Sequence, residues 1–185
     1  MDQIHRLNYR TFVEEIPQHP AAEGRRLIDK FHSKNVYLVA LEGSRVVGMT
    51  AIHDQPPFSI EDRLPDPKAL DSYRARSLEV RLLAVDPCHR SGQVFAGLSW
   101  LVYRHALDRG KEHLLISGFE QRRKFYERIG FKPLGAGVPS GNARFIPMIL
   151  TLSSLPESIR ADLGHVSRWV SSLNGDGFLA GAGQG

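Results

Sequence analysis

The sequence predicts an α/β domain, a central mixed β-sheet flanked by helices, and three observations carry that expectation. Apolar runs rich in Val, Leu and Ile alternate with segments whose apolar residues recur at helical spacing, giving a β-α-β-α-β order from Leu78 onward. The stretch Leu78–Arg109, LEVRLLAVDPCHRSGQVFAGLSWLVYRHALDR, reads as strand, polar turn and helix, which calls for a parallel neighbour to that strand. A composition of 42% apolar and 24% charged residues over 185 positions fits one globular domain and argues against disorder.

Taken in order, Leu7, Tyr9, Phe12, Val13 and Ile16 form one face of an opening amphipathic helix, ended by Pro17 and Pro20. A second short helix is expected over Ala22–Phe31. VYLVALEGSRVVGMTAIH holds two β-rich runs about a Glu42-Gly43-Ser44 turn, a hairpin signal, with Gly48 marking a bulge or a close backbone approach. Asp54–Arg76, with Pro56, Pro57, Pro65 and Pro67, lacks a sustained period and reads as a long loop, either an active-site wall or lid or a solvated connection with a helical turn near Pro67–Arg74.

In the next strand, alternation puts Glu79, Arg81, Leu83 and Val85 on one face and Leu78, Val80, Leu82 and Ala84 on the other. Val94, Phe95, Leu98, Leu101, Val102 and His105 trace the buried face of the following helix, which Gly110 ends. His113–Ser117 reads as a strand, Gln121–Ile129 as a helix stopped by Gly130, and Phe131–Leu134 as another strand. ARFIPMILTL reads as a further strand that Pro147 assigns to a sheet edge or bulge. Ser154-Leu155-Pro156-Glu157 has the spacing of a capping box for a last helix carrying Ile159, Leu163, Val166, Val170 and Leu173. Residues 153–173 form that packing helix, and 174–185, NGDGFLAGAGQG, read as a flexible Gly-rich tail or linker.

Several function classes lose support. No apolar run reaches the length of a membrane span, and the opening residues lack the apolar core of a secretory signal, so a cytoplasmic location is expected. Cys88 is the single cysteine, and the eight histidines form no H-x-x-x-H pair, so no metal is expected. The net charge of +4 suits an anionic ligand, yet no aromatic-plus-basic pattern speaks for nucleic acid. A phosphate would fit the turn Asp86–Gln93, where Pro87, Arg90 and Gly92 lead into free helix N–H groups.

The order hairpin, strand, Val85-Asp86-Pro87 through Arg90, helix, strand, then Phe125-Tyr126-Glu127-Arg128-Ile129-Gly130-Phe131 resembles the GNAT superfamily of acyl-CoA-dependent N-acyltransferases. The opening R-L-x-Y-R-x-F-V-E-E and Glu79 look more narrowly like N-acyl amino acid synthases and acyl-homoserine lactone synthases. The resemblance implies a GNAT-like acyltransferase domain over residues 1–152. It also implies an acyl-CoA donor such as acetyl-CoA, or an acyl carrier protein, and a small-molecule amine acceptor. Leu83, Ala84 and Val85 would pair with pantetheine. Arg90, Ser91, Gly92, Gln93, Val94 and Phe95 would hold the pyrophosphate, with Gln93 and Phe95 standing where the family carries glycines. Glu79 is the candidate base, or else the partner of Arg81 in an ion pair. Tyr126 is the candidate acid for the leaving thiolate, or else a core aromatic. The expected function is N-acyl transfer by direct attack; the alternative is a non-catalytic acyl-CoA-binding or interaction module fused to a partner domain.

Overall fold

The computed structural model describes residues 1–141, 143–173 and 177–182. The chain runs α1 (Asp2–Tyr9), β1 (Val36–Glu42), β2 (Arg45–His53), β3 (Ser77–Val85), α2 (Gln93–Asp108), β4 (His113–Phe119), α3 (Arg123–Ile129), β5 (Lys132–Pro133), β6 (Val138–Ser140), β7 (Ala143–Thr151), α4 (Glu157–Ser171) and β8 (Phe178–Ala182). One mixed sheet takes the order β5-β7-β4-β3-β2-β1-β8, with β6 also on β7. β3 and β4, joined through α2, run parallel, and the other described neighbours are antiparallel. This is the expected mixed α/β architecture.

Alternation along the strands sorts the core into two faces. Ile52, Leu78, Leu114 and Leu150 pack with Leu98 and Val102 of α2, and with Tyr126 of α3 and Ile159 and Leu163 of α4. Their neighbours Ala51, Leu115 and Ile149 face the other way. Ala51 packs with Ile4 and Leu7 of α1, and Leu115 and Ile149 with Phe58, Ile60, Leu64 and Leu70. A fully buried leucine such as Leu98 contributes on the order of 2 kcal/mol.

The opening helix continues past Tyr9 with wider pitch, as a π-helix over Arg10–Glu15. Both readings of Gly48 hold. Val47 is the extra residue of a register shift facing Ala40 and Leu41, and a Cβ on Gly48 would run into Val94 Cγ1 at the start of α2.

Other expectations need correction. Ala22–Phe31 is no helix: one 3-10 turn, Glu23–Arg25, contains Gly24 at φ 77, and Leu27 N–H donates to the His5 carbonyl, tying the segment across α1 as a strap. Asp54–Arg76 is more than a solvated connection, although the helical turn expected near Pro67–Arg74 is present. It folds into 3-10 turns at Ser59–Arg63, Pro67–Leu70 and Arg74–Arg76 and owns a small core. Pro147 lies in an interior strand; β5 reaches only to Met148 and β6 only from Phe145, so the missing N–H falls at the gap between these short partners. The capping box is absent, because Ser154 Oγ donates to the Thr151 carbonyl and α4 opens on Pro156 without a side-chain cap.

The tail is not wholly a linker. Phe178–Ala182 pairs with β1 from Ala40 to Val36, covering an edge that would otherwise leave backbone groups open; residues 174–176 and 183–185 of that expectation lie outside the described residues.

Candidate active site

The site begins with a defect in β3. This strand pairs with β4 only over Ser77–Glu79, whereas β4 stays paired with β7 as far as Phe119. Beyond Glu79 the two parallel strands part. On its other side β3 follows β2 with a break: Met49 faces Ala84 and Ala51 faces Arg81, so Leu82 and Leu83 together oppose Thr50. Leu82 sits at φ 53, and the Thr50 hydroxyl donates to the Arg81 carbonyl at 2.9 Å, holding the bulge.

The extra residue reverses the facing of everything after it. Val80 and Val85 pack with the α2 side while Leu82 and Ala84 pack with the α1 side, so strict alternation from Leu78 to Val85 does not hold. Leu83 is left 41% exposed, facing the opening.

A cavity of about 700 Å³ passes through the gap. One end is polar, bordered by Asp29, Ser59, Arg63, Arg81 and His19. The other is apolar, bordered by Leu98, Val102, Leu114, Ile116, Leu150 and Leu163 under α2 and α4.

At the polar end Arg81 makes two bonds of 3.0 Å to Asp29 and lies over the Phe31 ring. It therefore does not take Glu79 as its partner. Glu79 is fully buried and does not border the cavity. Its Oε1 accepts from Ser59 Oγ and the Ile60 N–H, and its Oε2 from the Ser59 N–H, each at 2.8 Å; His53 Nε2 lies 3.0 Å from Oε2. Burial pushes this carboxyl up, but His53, the Ser59 donors and the Arg81 charge outweigh it, so the group lies below its ordinary value.

At the other end of β3, Asp86 joins three elements. Its Oδ1 accepts from the Cys88 N–H, and its Oδ2 from Arg10 at 2.9 Å and Arg45 at 2.8 Å. Burial opposes ionisation, yet the Cys88 N–H, Arg10, Arg45 and His89 hold it down to about 2. Gly92, at φ 97, turns the chain into α2, whose first turn has no side-chain cap. Ser91, Gly92 and Gln93 are exposed there. Arg90 donates to the Val85 carbonyl and to Glu15, bracing the loop against the N-terminal helix. Phe95 turns away from the loop, meeting Phe125 at 5.5 Å and bordering the cavity.

Tyr126 borders the cavity too. Its ring packs against Gly118 of β4, where an added Cβ would come within 2.9 Å of it. Burial pushes its hydroxyl up, against a smaller opposing effect of the Phe119 N–H. The structure thus brings Leu83, Phe95 and Tyr126 to one cavity and lines the adjoining helix start with Arg90, Ser91, Gly92 and Gln93. Ala84 is buried on the α1 face, Val85 is half-buried on the α2 face, and Val94 packs under Gly48.

The sequence profile of the FeeM N-acyl amino acid synthases matches residues 3–152. The chain belongs to this family. The match spans the bulged strand, the loop after it and Tyr126, and ends before α4. Among solved structures, the CoA-dependent acyl-homoserine lactone synthase BjaI with MTA is 21% identical, with a TM-score of 0.71 over 90% of this chain and 81% of its own. FeeM itself, an N-acyl amino acid synthase from uncultured soil microbes, is 22% identical, with a TM-score of 0.55 over 65% of this chain and 71% of its own. The acyl-homoserine lactone synthase LasI is 18% identical, with a TM-score of 0.63 over 82% of each. No curated protein matches the sequence. These likenesses agree with the GNAT-like fold.

Asp29, Ser59 and Arg63 were not singled out in the sequence. Asp29 meets Arg81 across 52 positions, a pairing no local pattern announces. Ser59 and Arg63 lie in the proline-rich segment, whose length was its one signal. Among the described residues no cluster of His, Cys, Asp or Glu has the make-up of a metal site, and no helix is long and apolar enough to cross a membrane.

Proposed function

We propose that this chain is an N-acyltransferase that moves an acyl group from an acyl-CoA to a small-molecule primary amine by direct attack, with an acyl carrier protein as the alternative donor. The observation that carries the reading is the single cavity crossing the sheet, apolar at one end and polar at the other. A thioester carbonyl held in the gap would have its hydrocarbon chain on the apolar side and meet an amine from the polar side. No covalent enzyme intermediate is required.

The fold supplies partners for each part of the donor. Past Glu79 the β4-facing edge of β3 has no strand to pair with among the described residues, and buried backbone groups need partners; the amides of a pantetheine arm would provide them along Val80–Val85. The uncapped first turn of α2 suits the pyrophosphate, with Ser91, Gly92 and Gln93 around it. A backbone N–H near Leu83 would meet the developing oxyanion. Tyr126, kept protonated by burial, would give its proton to the departing thiolate, and Glu79 would be the final seat of the amine's proton. The apolar lining favours medium or long acyl chains over acetyl. The alternative of a non-catalytic module is weakened because its supposed linker supplies a strand of this sheet.

The test is a matrix of donors and acceptors. CoA and carrier-protein thioesters from acetyl to tetradecanoyl are incubated with primary amines, amino acids among them, and amide product and released thiol are measured by mass spectrometry. Amide formation with equimolar thiol release is expected, favouring the longer chains. Thioesters left intact with every amine would refute the proposal.

A further inference from the structure

Glu79 cannot touch an acceptor. Both of its oxygens are occupied, Oε1 by the Ser59 hydroxyl and the Ile60 N–H and Oε2 by the Ser59 N–H and the His53 ring, and no part of it reaches the cavity. Ser59 does border the cavity. A serine hydroxyl has one proton to donate, and this one is directed to Glu79 Oε1 at 2.8 Å. What Ser59 can then offer the cavity is a lone pair. An approaching group is thus met as a donor, and the Asp29 carboxylate on the same polar wall makes the same demand.

The geometry points to Ser59 as a catalytic residue that takes the acceptor's proton during amide formation and passes its own to Glu79, an inference resting on the acyl-transfer reading above. As the nitrogen lone pair bonds to the thioester carbonyl carbon, one N–H proton moves to Ser59 Oγ and the N–H electron pair stays on nitrogen. The proton formerly on Ser59 moves to Glu79 Oε1. The C–S electron pair leaves with the thiolate, which takes a proton from Tyr126. No bond forms between serine and the acyl carbon. After the amide departs, the carboxyl proton returns by the same path to water in the emptied cavity, and Tyr126 is reprotonated from solvent.

The surroundings define how this relay works. Lys34, Arg63, Arg81 and the His53 ring lie around Glu79, and the acids Asp29 and Glu61 face the same basic groups. A carboxylate held below its ordinary value is too weak to strip a free ammonium, but it suits the far more acidic proton of the N–C adduct. The acceptor accordingly enters as the free amine. His53 completes the set: its Nδ1 lies 3.0 Å from the Gln55 carbonyl, which fixes the ring with Nε2 toward Glu79. His53 is thus a positioning residue.

The experiment uses the full chain with the best donor and amine found for the wild type. Turnover is measured across mixtures of light and heavy water. Two protons moving together give a curved dependence in the wild type, and a straight line there would overturn the relay without any variant being made. Ser59→Ala should lower kcat by about 100-fold with little change in acceptor KM, and should straighten the curve. Ser59→Thr, which restores a hydroxyl, should recover most of the loss. A Ser59→Ala enzyme turning over within about twofold of wild type would refute the inference while leaving acyl transfer standing. A wild type that makes no amide from any pair would remove the reading beneath it.

Discussion

The two halves of β3 have opposite designs. Ser77–Glu79 pair with β4, with Glu79 also opposite His53 of β2, and are fully buried, and both Glu79 oxygens accept hydrogen bonds from Ser59 and Ile60. Val80–Val85 keep β2 but lose β4, contain a leucine in a left-handed conformation, and leave Leu83 facing a cavity. The first half uses its polar groups to hold the molecule together; the second leaves its β4-facing edge unpaired. A single strand can do both because the bulge at Leu82 breaks the pattern within its second half, and because Glu79 and Asp86 pin that half at both ends to neighbouring elements.

The largest effect is expected from breaking the closed half. Glu79→Leu would orphan the Ser59 and Ile60 N–H groups and leave His53 facing an apolar side chain, so urea unfolding should show a loss of about 3–5 kcal/mol. A loss below about 1 kcal/mol would mean the donors find other partners and the two halves are less distinct than described.

A smaller effect is expected on the open half. Gly118→Ala puts a methyl group within 2.9 Å of the Tyr126 ring, which must shift away from β4. Turnover should fall roughly 10–100-fold while the chain remains folded, since displacing a reacting group by about 1 Å costs that much. Unchanged turnover would remove Tyr126 from the chemistry.

Acid sensitivity separates the anchors from the surface pairs. Asp86 has a folded value near 2 against an unfolded 3.8, so its contribution is complete above about pH 4 and is lost as pH falls toward 2. That difference corresponds to about 2 kcal/mol, and Glu79, also lowered, adds acid sensitivity of the same sign. Stability measured from pH 6 down to pH 2 should drop for the wild type and drop less steeply for Arg45→Ala, which removes one of the charges on Asp86. The surface pairs of Arg6 with Asp2 and Arg104 with Asp108, exposed on both sides and screened by solvent, should add little to this drop.

How much of this was readable in the sequence follows from the range of the interactions. The hairpin at Gly43, the turn at Gly92 into α2 and the stop at Gly130 are local, written in glycine and in apolar spacing, and all stand where expected. The bulge was hidden because it occurs at a leucine, within a run whose alternation looked regular, and its cause is Thr50 on another strand. The partner of Arg81 was hidden for the same reason: Glu79 is two residues away in sequence, yet the guanidinium goes to Asp29. The strand at Phe178–Ala182 was hidden by the glycines around it, which mimic a linker, although the segment pairs with the open edge of β1. Ser59 had no signal beyond the length of its segment, because its bond is to Glu79 on a strand 20 positions away.

The central claim is that the open half of β3 holds a thioester with its hydrocarbon chain inside the sheet. Calorimetric titration of the wild type and of Ile116→Trp with CoA and with dodecanoyl-CoA tests it most directly, since Ile116 borders the apolar end of the cavity. The chain should tighten binding to the wild type by at least about tenfold over CoA alone, and the tryptophan should erase that gain without altering CoA binding. Equal affinities of the wild type for the two ligands would contradict the account.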